Sequence, residues 1–213
     1  MKALVIANGS IKNEEFYYSH VLKNHFDLII CADGGLKNAL LLNLNPDIAI
    51  GDFDSTEESL LQDVQDRGVE IIKYPVEKDA TDTEIVLDYL IDHRYSHITM
   101  IGCLGDRVDH SLANIALLKK LLSQKVYGRI IDEKNEIYLI NDKIELYNRK
   151  GSTLSLIPFS EGVEGVTTNG LYYSLDNHSM VKASSYGISN IIEEDFAKVE
   201  IKHGELLVII SRD

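Results

Sequence analysis

Residues 48–55 read Ile48-Ala49-Ile50-Gly51-Asp52-Phe53-Asp54-Ser55, a short apolar run that stops in a glycine and a pair of aspartates. Residues 28–35 have the same form: Leu28-Ile29-Ile30-Cys31-Ala32-Asp33-Gly34-Gly35. An apolar run without polar alternation is a strand buried on both faces, and such strands belong to parallel sheets covered by helices. Working outward, similar runs occur at Ala3–Ala7, Val69–Tyr74, His97–Ile101 and Tyr127–Ile131. Stretches of helical length separate them, such as Glu84–Ile91 and Leu112–Leu122. In the second, Leu112, Ile115, Leu118 and Leu122 recur at three- and four-residue spacing, as one face of a helix does. Lys119 and Lys120 fall near its end, where cations suit the helix dipole. The alternation predicts an α/β domain with a mostly parallel sheet over residues 1–140. From Asn141 the pattern changes. Glycines at 151, 162, 165, 170, 187 and 204 separate short runs at Thr153–Ile157, Gly170–Leu175, Val199–Ile201 and Leu206–Ile210. No helical period survives there, so residues 141–213 read as a small all-β domain.

The chain has 213 residues, 45% of them hydrophobic, which is enough for a packed core without staples. Against 21 Lys and Arg stand 34 Asp and Glu, a formal charge of −13. Such a surface repels a phosphate backbone and argues against nucleic acid as a partner. A small anionic substrate stays open, because bound cations reverse the local sign of charge. Cys31 and Cys103 sit in or just after apolar runs and read as buried small hydrophobes. The apolar run Ala3–Ala7 is too short for a secretory segment, and no stretch approaches the ~18 apolar residues of a membrane span. A soluble cytoplasmic protein with no membrane partner is the expectation.

Parallel sheets bind ligands at the C-terminal ends of their strands. Asn8-Gly9 follows the first strand and Asp33-Gly34-Gly35 the second. Asp52 and Asp54 follow the third, Lys78-Asp79-Ala80-Thr81-Asp82 the fourth, and Gly102 through His110 the fifth. Part of this acidity is ordinary helix capping: Ser55 with Glu58, and Thr81 with Glu84, have capping-box spacing, and Asp82 would sit in a first turn. Capping does not account for the Asp52/Asp54 pair or for Asp79. Clustered carboxylates repel each other unless a cation neutralises them, and oxygen-only donors suit Mg²⁺ above Zn²⁺. Lys78 and Arg107 nearby point to phosphoryl-type transfer, in which the protein positions groups and offsets charge. Taken singly, each of these two cations reads better as the partner of a neighbouring aspartate.

Three readings compete. Asp52-Phe53-Asp54-Ser55-Thr56 after a strand resembles the haloacid-dehalogenase-like phosphatases, in which Asp52 would be a nucleophile. That match leaves Lys78–Asp82 unexplained. A non-catalytic nucleotide or metal sensor is the second reading, although simple binding needs fewer carboxylates. The third rests on an ordered set of motifs that covers nearly the whole chain. It comprises Ala32-Asp33-Gly34-Gly35, Gly51–Ser55, Lys78–Asp82, and Gly102–Asn114 with Arg107, Asp109 and His110. It continues with Ser155-Leu156-Ile157-Pro158, Gly170-Leu171-Tyr172-Tyr173-Ser174-Leu175 and Gly187-Ile188-Ser189-Asn190. This set resembles the thiamine pyrophosphokinases.

The resemblance implies a Rossmann-like, mostly parallel α/β domain followed by a β-sandwich domain. It implies diphosphate transfer from ATP to thiamine, with Mg²⁺ as cofactor. It also implies a homodimer whose sites lie between the α/β domain of one subunit and the β domain of the other. Carried onto this chain, Asp52, Asp54 and Asp82 would hold the metal. Asp79, Asp82, Lys78 and Arg107 would act in catalysis. Asp33, Gly34, Arg107, Asp109 and His110 would bind ATP, and Ser189, Asn190 and Ile192 would bind thiamine. Two positions depart from the family's pattern. Asp106 stands where a second glycine is usual, and Ile191-Ile192 follow the Ser-Asn pair where an aromatic residue is frequent. A related pterin pyrophosphokinase would use the same chemistry.

Overall fold

The structure, a computed structural model, describes residues 1–54, 56–75 and 79–212. The chain divides into two compact units, Met1–Glu133 and Lys134–Asp213.

The first unit runs β1 (Lys2–Ile6), α1 (Glu14–His20), β2 (Leu28–Ala32), α2 (Gly35–Leu41), β3 (Ile48–Gly51) and α3 (Glu58–Asp66). It continues with β4 (Glu70–Lys73), α4 (Asp82–Asp92), β5 (His97–Ile101), α5 (Val108–Ser123) and β6 (Tyr127–Ile131). Its strands are parallel and lie in the order β6-β5-β1-β2-β3-β4. The chain builds outward from β1 to β4, then crosses back to set β5 on the other side of β1. Strand order therefore reverses between β1 and β5. Ile6 is in register with Cys31 on one side and Ile101 on the other, so the three strands end at one level.

Burial explains the apolar runs. All four residues of β3 and the last four of β1 are buried, and the core gathers Leu4, Ile6, Tyr17, Cys31, Leu36 and Ala49. Helix α1 starts where the Asn13 side chain accepts from Phe16 N–H at 3.2 Å, with Glu14 and Glu15 in its first turn. It buries Phe16 and Tyr17. Helix α2 approaches β1 so closely that a Cβ on Gly35 would lie 2.0 Å from the Ile6 carbonyl oxygen, and only glycine fits.

The capping expectations divide. Thr81 Oγ1 accepts from Glu84 N–H at 3.2 Å, as its spacing predicts. The Glu84 carboxylate does not return to the cap; it pairs with Lys120 Nζ at 2.8 Å. Helix α3 begins after Glu57, which makes no side-chain cap, and Glu58 is its first residue; the expected partner of Glu58, Ser55, lies outside the described residues. In α5 the buried residues are Leu118 and Leu121, whereas Leu112 is 62% exposed. The apolar period is real, but the residues it buries fall in the C-terminal half of α5.

The second unit is all β: β7 (Asn135–Ile140), β8 (Lys143–Tyr147), β9 (Thr153–Pro158), β10 (Gly162–Asn169), β11 (His178–Val181), β12 (Asn190–Ile191), β13 (Phe196–Glu200) and β14 (Leu206–Ser211). Antiparallel strands β12-β9-β14-β7 face antiparallel strands β11-β10-β13-β8 across one core that draws on both. Alternating burial along β8 and β9 is the signature of such a sandwich. Two sequence expectations shift here. β7, assigned to the first domain by a boundary at residue 140, pairs along its length with β14 and belongs to the second unit. The Gly170–Leu175 run is no strand; it follows the end of β10 as a loop opened by Gly170 at φ 72°.

Glu136 on β7 is 1% exposed. Arg149 Nη2 donates to both of its oxygens at 3.1 and 3.2 Å, Tyr138 Oη donates at 2.8 Å, and Arg212 also binds it. Burial opposes ionisation, but the two guanidinium groups and the hydroxyl outweigh it and hold the carboxyl below its usual range.

Candidate active site

The reversal between β1 and β5 opens a cleft at their C-terminal ends, where doubly wound sheets bind ligands. Its volume is about 650 Å³, within the range of small-molecule sites. Its walls come from the β1 exit (Ala7–Ser10), the β2 exit (Ala32, Asp33), the start of α4 (Thr81–Thr83) and the β5–α5 segment from Gly102 to Asn114.

Short polar side chains hold these loops. Asn38 Nδ2, on α2, donates to the carbonyls of Ala7 and Gly9 at 2.7 and 2.8 Å. Asn114 Nδ2 donates to the Cys103 carbonyl at 2.8 Å. Ser111 Oγ accepts from Gly105 N–H at 3.2 Å and donates to the Arg107 carbonyl at 3.1 Å. Asn114 therefore supports the β5 loop. Asn8, Ser10 and Ser111 line the cleft although they were given no role from sequence. Their one signal was the Asn8-Gly9 turn after the first strand, and neutral residues at strand ends attract less notice than carboxylates.

The cleft brings together Asp33, Asp82, Arg107, Asp109 and His110 of the expected set. Asp82 is in the first turn of α4, where the dipole favours an anion. Arg107 is the N-cap of α5, a cation at the positive end of a helix, and it is held there by Asp109. Arg107 Nε and Nη2 donate to the two Asp109 oxygens at 3.2 and 2.6 Å. That fork holds the Asp109 carboxyl below the ordinary carboxylate range. The pairing with a neighbouring aspartate, weighed from sequence as the plain alternative for Arg107, is thus present within the cleft itself.

The remaining expected residues lie elsewhere. Gly34 is buried against Asn8, with its Cβ position 2.4 Å from Asn8 Nδ2, and is not in the cleft wall. Asp52 is half-buried and Asp54 exposed on the β3 exit, where Asp52 Oδ1 accepts from Asp54 N–H at 3.2 Å. Asp79 is exposed. Lys78 lies outside the described residues. Among the described residues no three Asp, Glu, His or Cys side chains form a closed metal-ligand group. Asp52, Asp54 and Asp82 are oxygen donors on two neighbouring strand exits, and an incomplete carboxylate set suits a hard ion that takes its other ligands from phosphates and water. Both cysteines are buried, and burial pushes the Cys103 thiol up to about 12 and that of Cys31 higher still, which keeps them as thiols at neutral pH.

In the second unit, Ser189 (φ 61°) donates its N–H to Ser155 Oγ at 3.1 Å. Asn190 Oδ1 accepts from Tyr173 N–H at 3.0 Å and its Nδ2 donates to the Tyr173 carbonyl at 2.7 Å, an amide standing in for a strand partner. This staple presents Tyr172 and Tyr173, both exposed, with ring centroids 4.7 Å apart at 90°. Ile192 is 1% exposed within the sandwich core and offers no face to a ligand; Ile191 is the exposed neighbour. The strand alternation that turns one outward turns the other in.

Comparison with known proteins follows the same division of the chain. Residues 19–129 match the family model for the thiamin pyrophosphokinase catalytic domain, and residues 141–206 match the model for its vitamin B1 binding domain. A thiamine pyrophosphokinase of Bacillus subtilis (strain 168) is 32% identical over 216 residues, covering 100% of both chains. The chain belongs to the thiamine pyrophosphokinase family. Among solved structures, thiamine pyrophosphokinase from Bacillus subtilis superposes with a TM-score of 0.88 at 27% identity, over 100% of each chain. The Geobacillus thermodenitrificans thiamin pyrophosphokinase does so at 0.84 and 27% identity, covering 100% of this chain and 98% of that one. Membership of the thiamine pyrophosphokinase family sets aside the phosphatase reading, which accounted for one loop, and the sensor reading. No helix among the described residues is long and apolar enough to cross a membrane.

Proposed function

We propose that the protein transfers a diphosphoryl group from ATP to the hydroxyl of thiamine, giving thiamine diphosphate and AMP. The observation that carries the reading is the convergence of carboxylates and Arg107 on the switch-point cleft of a chain that matches the family over both units. The thiamine oxygen attacks the β-phosphorus, the bond from that phosphorus to the α–β bridging oxygen breaks, and AMP leaves on that oxygen. A loose transition state asks little proton abstraction early, so an aspartate such as Asp79 suffices to orient the hydroxyl and take its proton. Arg107, held by Asp109, and Lys78 offset charge on the transferred group and on AMP. Asp33, Asp109 and His110 line the cleft in which the nucleotide would lie.

Asp52, Asp54 and Asp82 would hold Mg²⁺ together with the phosphates of ATP, and the ion supplies neutralisation of phosphate charge. For thiamine, the exposed Tyr172–Tyr173 pair beside Ser189 and Asn190 offers π faces to a cationic thiazolium ring. The family resemblance supports a homodimer in which the second unit of one subunit serves the cleft of the other. Two buried free thiols suit a reducing cytoplasm.

The direct test is incubation of the purified protein with ATP, Mg²⁺ and thiamine, with products resolved by chromatography. AMP and thiamine diphosphate are expected in equal amounts. ADP as the main nucleotide product would overturn the reading.

A further inference from the structure

We propose that Asp33 is a positioning residue: its carboxylate oxygen fixes the loop that carries Asp52 and Asp54, and it acts there as a hydrogen-bond acceptor, not as a charge. The inference deepens the proposed function and rests on it.

The argument begins with two strained residues. Asp33, immediately after β2, has φ 43°, and Phe53, in the β3 exit, has φ 56°. Asp and Asn enter this left-handed region more readily than other side chains do. A bulky aromatic residue stays there only when its surroundings over-determine it. Here they do. The Phe53 ring is buried in the core of the first unit, at 4% exposure. Its N–H donates to Asp33 Oδ1 at 3.1 Å. Asp33 is itself anchored, its N–H donating to the Ile50 carbonyl at 2.7 Å. It also packs on the chain it controls, since a Cβ on Gly51 would lie 2.8 Å from both Asp33 Cα and Cβ.

The consequence falls on the neighbours of Phe53. With its ring held inward and its amide pinned, Asp52 and Asp54 on either side are turned away from the core, and the Asp54 N–H closes onto Asp52 Oδ1. Among the described residues, loss of the Asp33 acceptor removes the one bond that the Phe53 amide donates, at the centre of the loop that would present two metal-binding carboxylates. An asparagine keeps both the acceptor oxygen and the tolerance of left-handed φ. A glycine keeps the φ without strain but has no acceptor. The two substitutions therefore separate acceptor from charge without demanding a new backbone.

The competing role for a carboxylate at this strand end is hydrogen bonding to a ribose hydroxyl. The test compares Asp33→Asn, Asp33→Gly and Asp52→Asn with the unaltered chain. Three readouts are taken: hydrogen exchange at the Phe53 amide, Mn²⁺ binding by electron paramagnetic resonance with an α,β-methylene ATP analogue, and turnover. Asp33→Gly is expected to lose protection at Phe53 and to weaken Mn²⁺ binding by about 10–100-fold, the usual cost of removing a residue that orients metal ligands. Asp33→Asn is expected to keep the protection and recover most of the binding. Equal weakening in both variants means that the charge itself is needed and overturns the inference. Unchanged exchange and Mn²⁺ binding in Asp33→Gly overturns it as well. So does a loss of ATP affinity in Asp33→Asn that disappears with deoxyribose donors. Asp52→Asn reports on the underlying reading: normal Mn²⁺ binding in that variant overturns the metal assignment, whatever Phe53 exchange shows.

Discussion

Asp52 and Asp54 flank Phe53 on one short turn, with Asp52 Oδ1 accepting from Asp54 N–H. Asp52→Asn and Asp54→Asn keep that shape and remove charge. Each is expected to lower AMP formation by roughly 100-fold or more while leaving circular dichroism unchanged, because neutralising phosphate charge through a metal is worth several kcal/mol. Full activity in both would end the metal assignment, and a phosphoenzyme on Asp52 would revive the phosphatase alternative. Arg107 is held by Asp109 along its Nε–Nη2 edge, and in the proposed reaction its Nη1 would face a phosphate. Arg107→Lys keeps the charge but has no fork. A loss of about tenfold in kcat/KM is expected, equivalent to one charge-assisted hydrogen bond, and Asp109→Asn in that background should add little. Additive losses would place Asp109 on the nucleotide directly. Because the carboxyl of Asp109 sits below its ordinary range, the pair is intact at neutral pH and parts only as acid protonates it.

The helices and strands that carry these groups depend on a few local bonds. Thr81 caps α4 through Glu84 N–H, and Thr81→Ala should cost about 1 kcal/mol. In a chain of this length that lowers Tm by about 2–4 °C. Glu84→Gln should leave the cap intact, since the Glu84 carboxylate bonds Lys120 and not the cap amide; a cap-sized loss there would mean a reciprocal box after all. In the second unit, Glu136→Gln leaves Arg149 and Arg212 without their shared anion. Breaking one member of such a buried set costs about 3–5 kcal/mol, readable by urea titration. The carboxyl of Glu136 is depressed, so its stabilisation is complete above its unfolded value near ~4.3 and disappears as pH falls through the lower folded value. The stability gap between the parent and Glu136→Gln should therefore be flat from neutral to mildly acidic pH and shrink below that. A gap that widened in acid would contradict the assigned ionisation.

For the molecule as a whole, the proposed homodimer gives a test that needs no structure of the complex. Asp54→Asn disables the first unit and Asn190→Ala, by releasing the Tyr173 loop, disables the second. If the cleft of one subunit is completed by the second unit of its partner, a mixture allowed to exchange subunits should regain part of the activity, because one site in each hybrid dimer is then intact. A site made within one chain shows no rescue. Full activity in a monomer at working concentration would refute the shared site without mutagenesis.

Much of the parallel sheet was legible because its signals are local. An apolar run that stops in Asp33-Gly34-Gly35 announces a buried strand and a tight exit, and β2, β5 and β6 begin and end where their runs do. The strand-end carboxylates followed from the same rule, since parallel strands deliver their exits to one edge. Local pattern was blind to what lies across the chain. Leu112 shares the period of Leu118, yet it is exposed where Leu118 is buried, a difference set by what packs against each and not by the period. β7 looked like a continuation of the first domain until its pairing with β14 placed it in the second. Ile191 and Ile192 are chemically alike, and only strand alternation turned one into the core. Composition and spacing thus determined that this is an acidic α/β protein with carboxylate-rich strand exits, followed in sequence by a β domain. The reversal of strand order between β1 and β5, the cleft it opens, and the bond from Phe53 to Asp33 were decided by tertiary structure, because each joins residues distant in sequence that no local period brings into contact.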